Sequence, residues 1–142
     1  MASILTDYGE EWMIKTNLDT ASVDVGLYND SVDSISDPDD LASVTTEPGN
    51  GNYTRQADIS VSASDFSGNW GVDNDAKVTF DVTDTDGDVD SYFFVANFTS
   101  DDAGDGSATD HLVLTGSLSQ SYALGNVDTL EISANTAGVS VN

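Results

Sequence analysis

Lys77-Val78-Thr79-Phe80-Asp81-Val82, then Asp84-Thr85-Asp86-Gly87-Asp88, then Tyr92-Phe93-Phe94-Val95-Ala96-Asn97-Phe98 form the most regular passage of the chain. The first run sets Val78, Phe80 and Val82 on one face and polar residues on the other, the period of a half-buried strand. The last run is apolar on both faces, as a fully covered strand is. Asp-Gly between two such runs predicts a β-hairpin. Upstream, Val23, Val25 and Leu27 alternate with Asp24 and Gly26, and Ile59 and Val61 alternate within 54–62. Downstream, 111–118, 129–134 and 139–141 have strand character, with 122–124 a short edge. The polar stretches 31–52, broken by Pro38 and Pro48, and 101–110 are expected to be loops. Only Tyr8 to Lys15 predicts a helix, with Asp7 as N-cap and Glu10 three positions on. Seven or eight short strands with little helix predict an all-β fold, an antiparallel β-sandwich or jelly roll with a short N-terminal helix. Residues 1–20 form the helical segment and 21–142 a single sandwich domain, within the common domain size.

Charge narrows the function. The 142 residues carry 26 Asp plus Glu against 3 Lys plus Arg, a net charge of -23. Asp supplies 22 of the acids, and the basic residues are Lys15, Arg55 and Lys77. A folded surface of about 7,000 Å² then holds one net charge on roughly every 300 Å². The Debye length is about 8 Å at physiological salt and about 3 Å at 1 M, so self-repulsion is strong in dilute buffer and quenched in brine. The acids are spread along the whole chain, a pattern that resembles the proteins of extreme halophiles and implies a hypersaline origin. Nucleic acid, which calls for Lys and Arg, is excluded as a partner. The longest apolar run, Tyr92 to Ala96, is far short of the roughly 18 residues of a membrane helix. The start, Met1 to Asp7, lacks the basic and apolar regions of a cleaved signal. With no cysteine, disulfides and thiolate chemistry are absent.

Candidate sites are few. His111 is the sole histidine and opens a strand. No Gly-x-Ser-x-Gly elbow or phosphate-cradling Gly-x-x-x-x-Gly-Lys loop accompanies it, so it is expected to be an ordinary strand-end residue. Glu11 beside Trp12 and Glu131 are the only hints of a glycosidase acid, and neither is specific. No catalytic residue is assigned. Asp84, Asp86, Asp88 and Asp90 alternate along a tight turn, where carboxylates can converge on a hard cation such as Ca²⁺ or Mg²⁺. The EF-hand spacing fails, since Gly87 at its sixth position puts Val82 first and Phe93 twelfth. Asp and Gly also suit a turn for backbone reasons alone. No other cofactor is expected. Asn29, Asn52 and Asn97 each open an Asn-x-Ser/Thr tripeptide. Tyr53, Trp70 and Tyr122 lie near turns, where aromatics stack on sugars or close the end of a core; Tyr53 and Trp70 are the candidates for ligand stacking. Trp12, Met13 and Ile14 form the apolar cluster expected to dock on another subunit, and the 31–52 loop is long enough to reach a neighbour.

The segments also follow one another in a distinctive order. Gly26-Leu27-Tyr28-Asn29-Asp30, Asp40-Leu41-Ala42-Ser43-Val44-Thr45-Thr46-Glu47-Pro48 and Gly51-Asn52-Tyr53-Thr54-Arg55-Gln56 come first. Asn69-Trp70, Val78-Thr79-Phe80, Tyr92-Phe93-Phe94-Val95 and Gly125-Asn126-Val127-Asp128-Thr129-Leu130-Glu131-Ile132 follow. In this order, over roughly residues 20–142, the chain resembles small virion proteins of tailed viruses, here one infecting haloarchaea. The resemblance implies a non-enzymatic structural component on the virion exterior, as a capsid decoration or turret subunit or in the tail or baseplate. Its implied partners are further copies and other virion proteins, with a host surface glycan the alternative. No catalytic residue is carried over.

Overall fold

The computed structural model describes residues 6, 8–9, 15, 17, 22–36, 39–65, 70–99, 109–135 and 138–140, with Trp70 and 138–140 by backbone alone. Among them run eight strands: β1 (Ser22–Tyr28), β2 (Gln56–Asp65), β3 (Trp70–Asn74), β4 (Val78–Asp81), β5 (Asp88–Asn97), β6 (Asp110–Ala123), β7 (Thr129–Ile132) and β8 (Gly138–Ser140). Every pairing is antiparallel. The fold is therefore all-β, but its strands divide six and two rather than equally, in the orders β6-β5-β1-β2-β3-β8 and β4-β7. The ends of the large sheet, β6 and β8, approach each other, so the sheet curls. β2 pairs β1 through 56–60 and β3 through 61–65, and a bulge opposite Asp24, where Asp58 has φ 57°, interrupts the first of these ladders.

The main core lies between the two sheets. Val23, Val25 and Leu27 of β1, Val61 of β2 and Tyr92 and Phe94 of β5 meet Val78 and Phe80 of β4 and Leu130 and Ile132 of β7. A second cluster sits on the opposite face of the large sheet, where Tyr28, Phe93 and Val95 pack under Ile35, Leu41 and Val44. β1 is thus buried on both faces from Val25 onward, not half-buried, because the 31–52 loop folds back as its cover. Gly26 stands directly opposite Phe93, and a Cβ there would enter the Phe93 ring; glycine is what lets the ring lie flat across the strand.

The hairpin expected between β4 and β5 does not form. β4 pairs with β7, while β5 pairs with β1 and β6. The intervening turn has positive φ at Asp84 and Gly87, not at two adjacent central residues as a tight type I′ turn requires. It carries the chain from the small sheet to the large one. Three contacts hold it there. Thr85 is buried, with its N–H on the Val82 carbonyl at 3.1 Å, and the Val82 N–H donates to Asp128 across the layer at 2.9 Å. The Asn50 side chain accepts from the Asp86 N–H at 2.7 Å and donates to the Asp86 carbonyl at 3.3 Å. β3 is a strand that its composition hides, since Gly71-Val72-Asp73-Asn74 reads as a turn. Lying between β2 and β8, all four residues are buried. β6 is one 14-residue strand, not a strand plus a separate edge, and Leu124 begins the turn that ends it.

Helical backbone at Tyr8, Gly9, Lys15 and Asn17 agrees with the expected N-terminal helix. The Thr6 hydroxyl accepts from the Gly9 N–H at 3.2 Å. Asp7, Glu10, Glu11, Trp12, Met13 and Ile14 lie outside the described residues, as do 100–108.

Candidate functional site

The most constructed region is the cover over β1 and β5, and aspartates build it. Just after β1, residues 30–33 make one helical turn. Asp33 accepts from the N–H of Thr45 and of Thr46, each at 3.0 Å, and from both hydroxyls at 2.5 and 2.7 Å. Burial works against the charged form of Asp33, but these four donors outweigh it and hold the carboxyl below the ordinary value. Asp90 on β5 accepts from the N–H of Asp30 at 2.7 Å and the hydroxyl of Ser31 at 2.5 Å. Burial again opposes charge, and the Ser31 and Ser91 hydroxyls with the Asp30 and Ser31 amides lower the carboxyl regardless. Asp40 receives the Leu112 N–H at 2.9 Å and the Leu41 N–H at 2.7 Å, which hold it low, with His111 assisting. Asp39 accepts from the Ser36 N–H at 2.7 Å and the Ser36 hydroxyl at 2.9 Å, so it too serves the loop itself.

His111 belongs to this clasp. It is buried, its Nδ1 lies 3.1 Å from Asp40 Oδ2, and its ring sits 4.6 Å from that of Phe98. Tyr28 donates to Asp30 at 3.0 Å, and burial pushes its phenol up to about 12.

The one arginine is also structural. Arg55 meets Glu47 through two bonds of 2.8 and 2.7 Å and lies 5.2 Å above the Phe93 ring. Tyr53, expected to stack on a ligand, is buried instead: its ring stacks on Phe80. Its hydroxyl accepts from the Leu27 N–H at 2.8 Å and donates to Glu47 at 3.1 Å. Burial raises the phenol far above its usual range. A ring committed to the core on one side and to β1 on the other has no face for a sugar. Trp70 opens β3, and its side chain lies outside the described residues. Tyr122 is half-buried, 3.2 Å from the Ser119 hydroxyl.

The alternating acids are not brought together. Asp84, Asp86 and Asp88 are exposed on the turn and at the start of β5, while Asp90 is taken up by the Asp30–Ser31 turn. Among the described residues no three acidic or histidine side chains are placed to hold a metal ion. Glu131 is exposed and 3.0 Å from Lys77. Of the three Asn-x-Ser/Thr sites, Asn52 and Asn97 are exposed and bonded to Asp81 and Asp110, whereas Asn29 is half-buried and the Ser31 hydroxyl of its tripeptide is bound to Asp90.

Three depressions lie along the long strand β6, one between it and Ile35, Ser36 and Asp39 of the cover and two farther along. The register of β6 on β5 jumps from Ser117, opposite Ser91, to Tyr122, opposite Val89, so residues 118–121 bulge outward beside Asp90. On one side of this lip a polar cleft of about 450 Å³ is lined by Asp30, Asp90, Ser117, Gln120 and Ser121. On the other a groove of about 240 Å³ of mixed character is lined by Tyr92, Leu118, Tyr122, Leu130 and Ile132 together with Glu131 and three serines. The lip is not legible from composition, because Leu118-Ser119-Gln120-Ser121 alternates like any strand. The chemistry on offer is hydrogen bonding in the cleft and both apolar contact and hydrogen bonding in the groove. The chain matches no family model, no curated protein and no solved structure at the level at which a relationship would be accepted.

Proposed function

We propose that the chain is a non-enzymatic virion structural protein, a homo-oligomeric capsid decoration or turret subunit adapted to high salt. The observation that carries this reading is the net charge of -23 on a small β-body, with three basic residues in all. Arg55 and Lys77 are paired to Glu47 and Glu131, so each cancels one glutamate. A body of this kind tolerates close neighbours only where counterions screen it. The order of segments shared with small virion proteins of haloarchaeal tailed viruses supports the same role, and so does a lopsided sandwich whose smaller sheet leaves a groove open. Location by labelled antibody on particles purified from hypersaline culture tests it. Regular labelling of the shell is expected; absence from the particles, or turnover of a substrate by the purified chain, overturns it.

The polar cleft favours a second reading, a tail or adhesion module that binds host-surface carbohydrate. Carboxylate, hydroxyl and amide groups on one wall match the donors and acceptors of a sugar. A glycan array probed in molar salt separates the two. Saturable binding lost in Gln120→Ala supports adhesion, and no binding supports the shell role.

A further inference from the structure

A two-stranded sheet has two outer edges, and among the described residues no strand lies along the one formed by β4, which pairs with β7 alone. The register shows which groups that edge presents. Val82 donates to the Asp128 carbonyl at 2.9 Å, so Val78, Phe80 and Val82 direct their backbone N–H and C=O toward β7. The alternate residues Lys77, Thr79 and Asp81 direct theirs away from it. Thr83, next in that series, accepts from the Asn52 N–H at 3.0 Å through its outward carbonyl, which closes the edge at one end. At the other end the Asp75 N–H is bound to the Ser60 carbonyl of β2 at 3.0 Å, so the chain turns off the ribbon there. The open stretch runs from Lys77 to Asp81, with Thr79 at its centre.

This stretch is complementary to itself. Turned antiparallel about Thr79, a second copy sets Lys77 opposite Asp81, Val78 opposite Phe80 and Thr79 opposite Thr79. Lys77, Thr79 and Asp81 are exposed on the outer face, while Val78 and Phe80 are buried on the inner one, so each pair meets on the same face. The residues with outward backbone groups are also the ones that this register makes exchange both N–H···O=C bonds, Thr79 with Thr79 and Lys77 with Asp81. Opposite charges and paired threonines directly across a ladder both stabilise it. Lys77 lies 3.0 Å from Glu131 of its own chain, and an ammonium with three donors can hold that glutamate and an opposing aspartate together. A lysine alone on an edge keeps other strands off. Lysine and aspartate at mirror positions instead select the same strand from another copy.

We propose that β4 pairs with β4 of a second copy about a two-fold axis at Thr79, joining the two ribbons into one four-stranded sheet. This rests on the oligomeric reading above and names its contact. The chain has no cysteine, which makes the test direct. Residues that exchange both bonds have Cα atoms about 5.5 Å apart, within disulfide reach, so Thr79→Cys probes the axis. Thr129→Cys, exposed on the same face but on β7, is its control. Both full-length variants are oxidised in molar salt, and sedimentation of wild type, Thr79→Pro and Lys77→Glu is measured alongside. Proline removes an N–H that points off the edge of the single chain. Thr79→Cys is expected to link into dimers and Thr129→Cys to stay single. Thr79→Pro is expected at half the wild-type mass, and Lys77→Glu to dissociate at several-fold higher protein concentration, both with circular dichroism unchanged. If Thr79→Pro fails to fold, Lys77→Glu and the cysteine variants decide. Equal linking of the two cysteine variants, or a wild-type oligomer with no Thr79→Cys link, overturns the β4 contact and leaves the oligomeric reading standing. A wild-type chain that is monomeric in molar salt overturns both.

Discussion

Single aspartates perform two tasks that composition cannot separate. Asp84, Asp86 and Asp88 face water, while Asp33, Asp40 and Asp90 act as anionic acceptors for backbone amides across long separations in sequence. Nothing local distinguishes them, because each has partners that lie between 12 and 72 residues away. The clasp was therefore not legible in the sequence, and neither was the burial of Tyr53, whose partners Leu27 and Glu47 come from separate segments. Hydrogen bonds to charged groups contribute about 1.5–3 kcal/mol each, net of the exchange with water. Asp33→Asn and Asp90→Asn keep the shape but lose the charge, and each is expected to cost about 1–3 kcal/mol by denaturant unfolding in molar salt. The sign with pH follows from the lowered carboxyls. The folded state binds fewer protons than the unfolded one, so their stabilisation is complete above the ordinary 3.8 and is lost as pH falls through the lowered values. Each Asn variant should flatten the fall in melting temperature below pH 4; an unchanged slope would show that the bonds contribute nothing.

Elements were legible wherever one face repeats. Val78, Phe80 and Val82, the apolar Tyr92–Val95 run, and Val23, Val25 and Leu27 are strands with the faces that alternation assigns them. Partners were not legible, because a turn signal reports a change of direction and says nothing about which edge the returning strand joins. The passage from Asp84 to Asp88 has hairpin composition, yet Val82, Thr85 and Asp86 are held by Asp128, Val82 and Asn50. Backbone groups do the holding at Asp86, so its carboxylate is expected to be dispensable. Asp86→Asn should shift the melting temperature equally in Na⁺ and in Ca²⁺ at matched ionic strength. A loss confined to Ca²⁺ would instead establish a cation site at this turn. β3 escaped notice because burial between two strands overrides the poor β-propensity of Gly71, Asp73 and Asn74.

For the whole molecule, the dominant quantity is the net charge of -23. Raising salt from 0.1 to 1 M shortens the Debye length from about 10 to about 3 Å, within the spacing of surface charges. The melting temperature is expected to climb steeply over this interval and then flatten, with an uncharged osmolyte of equal water activity giving a smaller rise. Equal rises would assign the effect to water exclusion rather than to screening.

The six-and-two division has a consequence for how the molecule breathes. A two-stranded ribbon is marginal by itself, and β4 with β7 is held down through Val78, Phe80, Leu130 and Ile132. Amide deuterium uptake should therefore begin at β4 and β7 and reach β1 and β5 last, since those inner strands are flanked by strands on both sides and covered on both faces. The ribbon behaves as a hatch, and whatever braces it from outside would slow its lifting without altering the frame beneath.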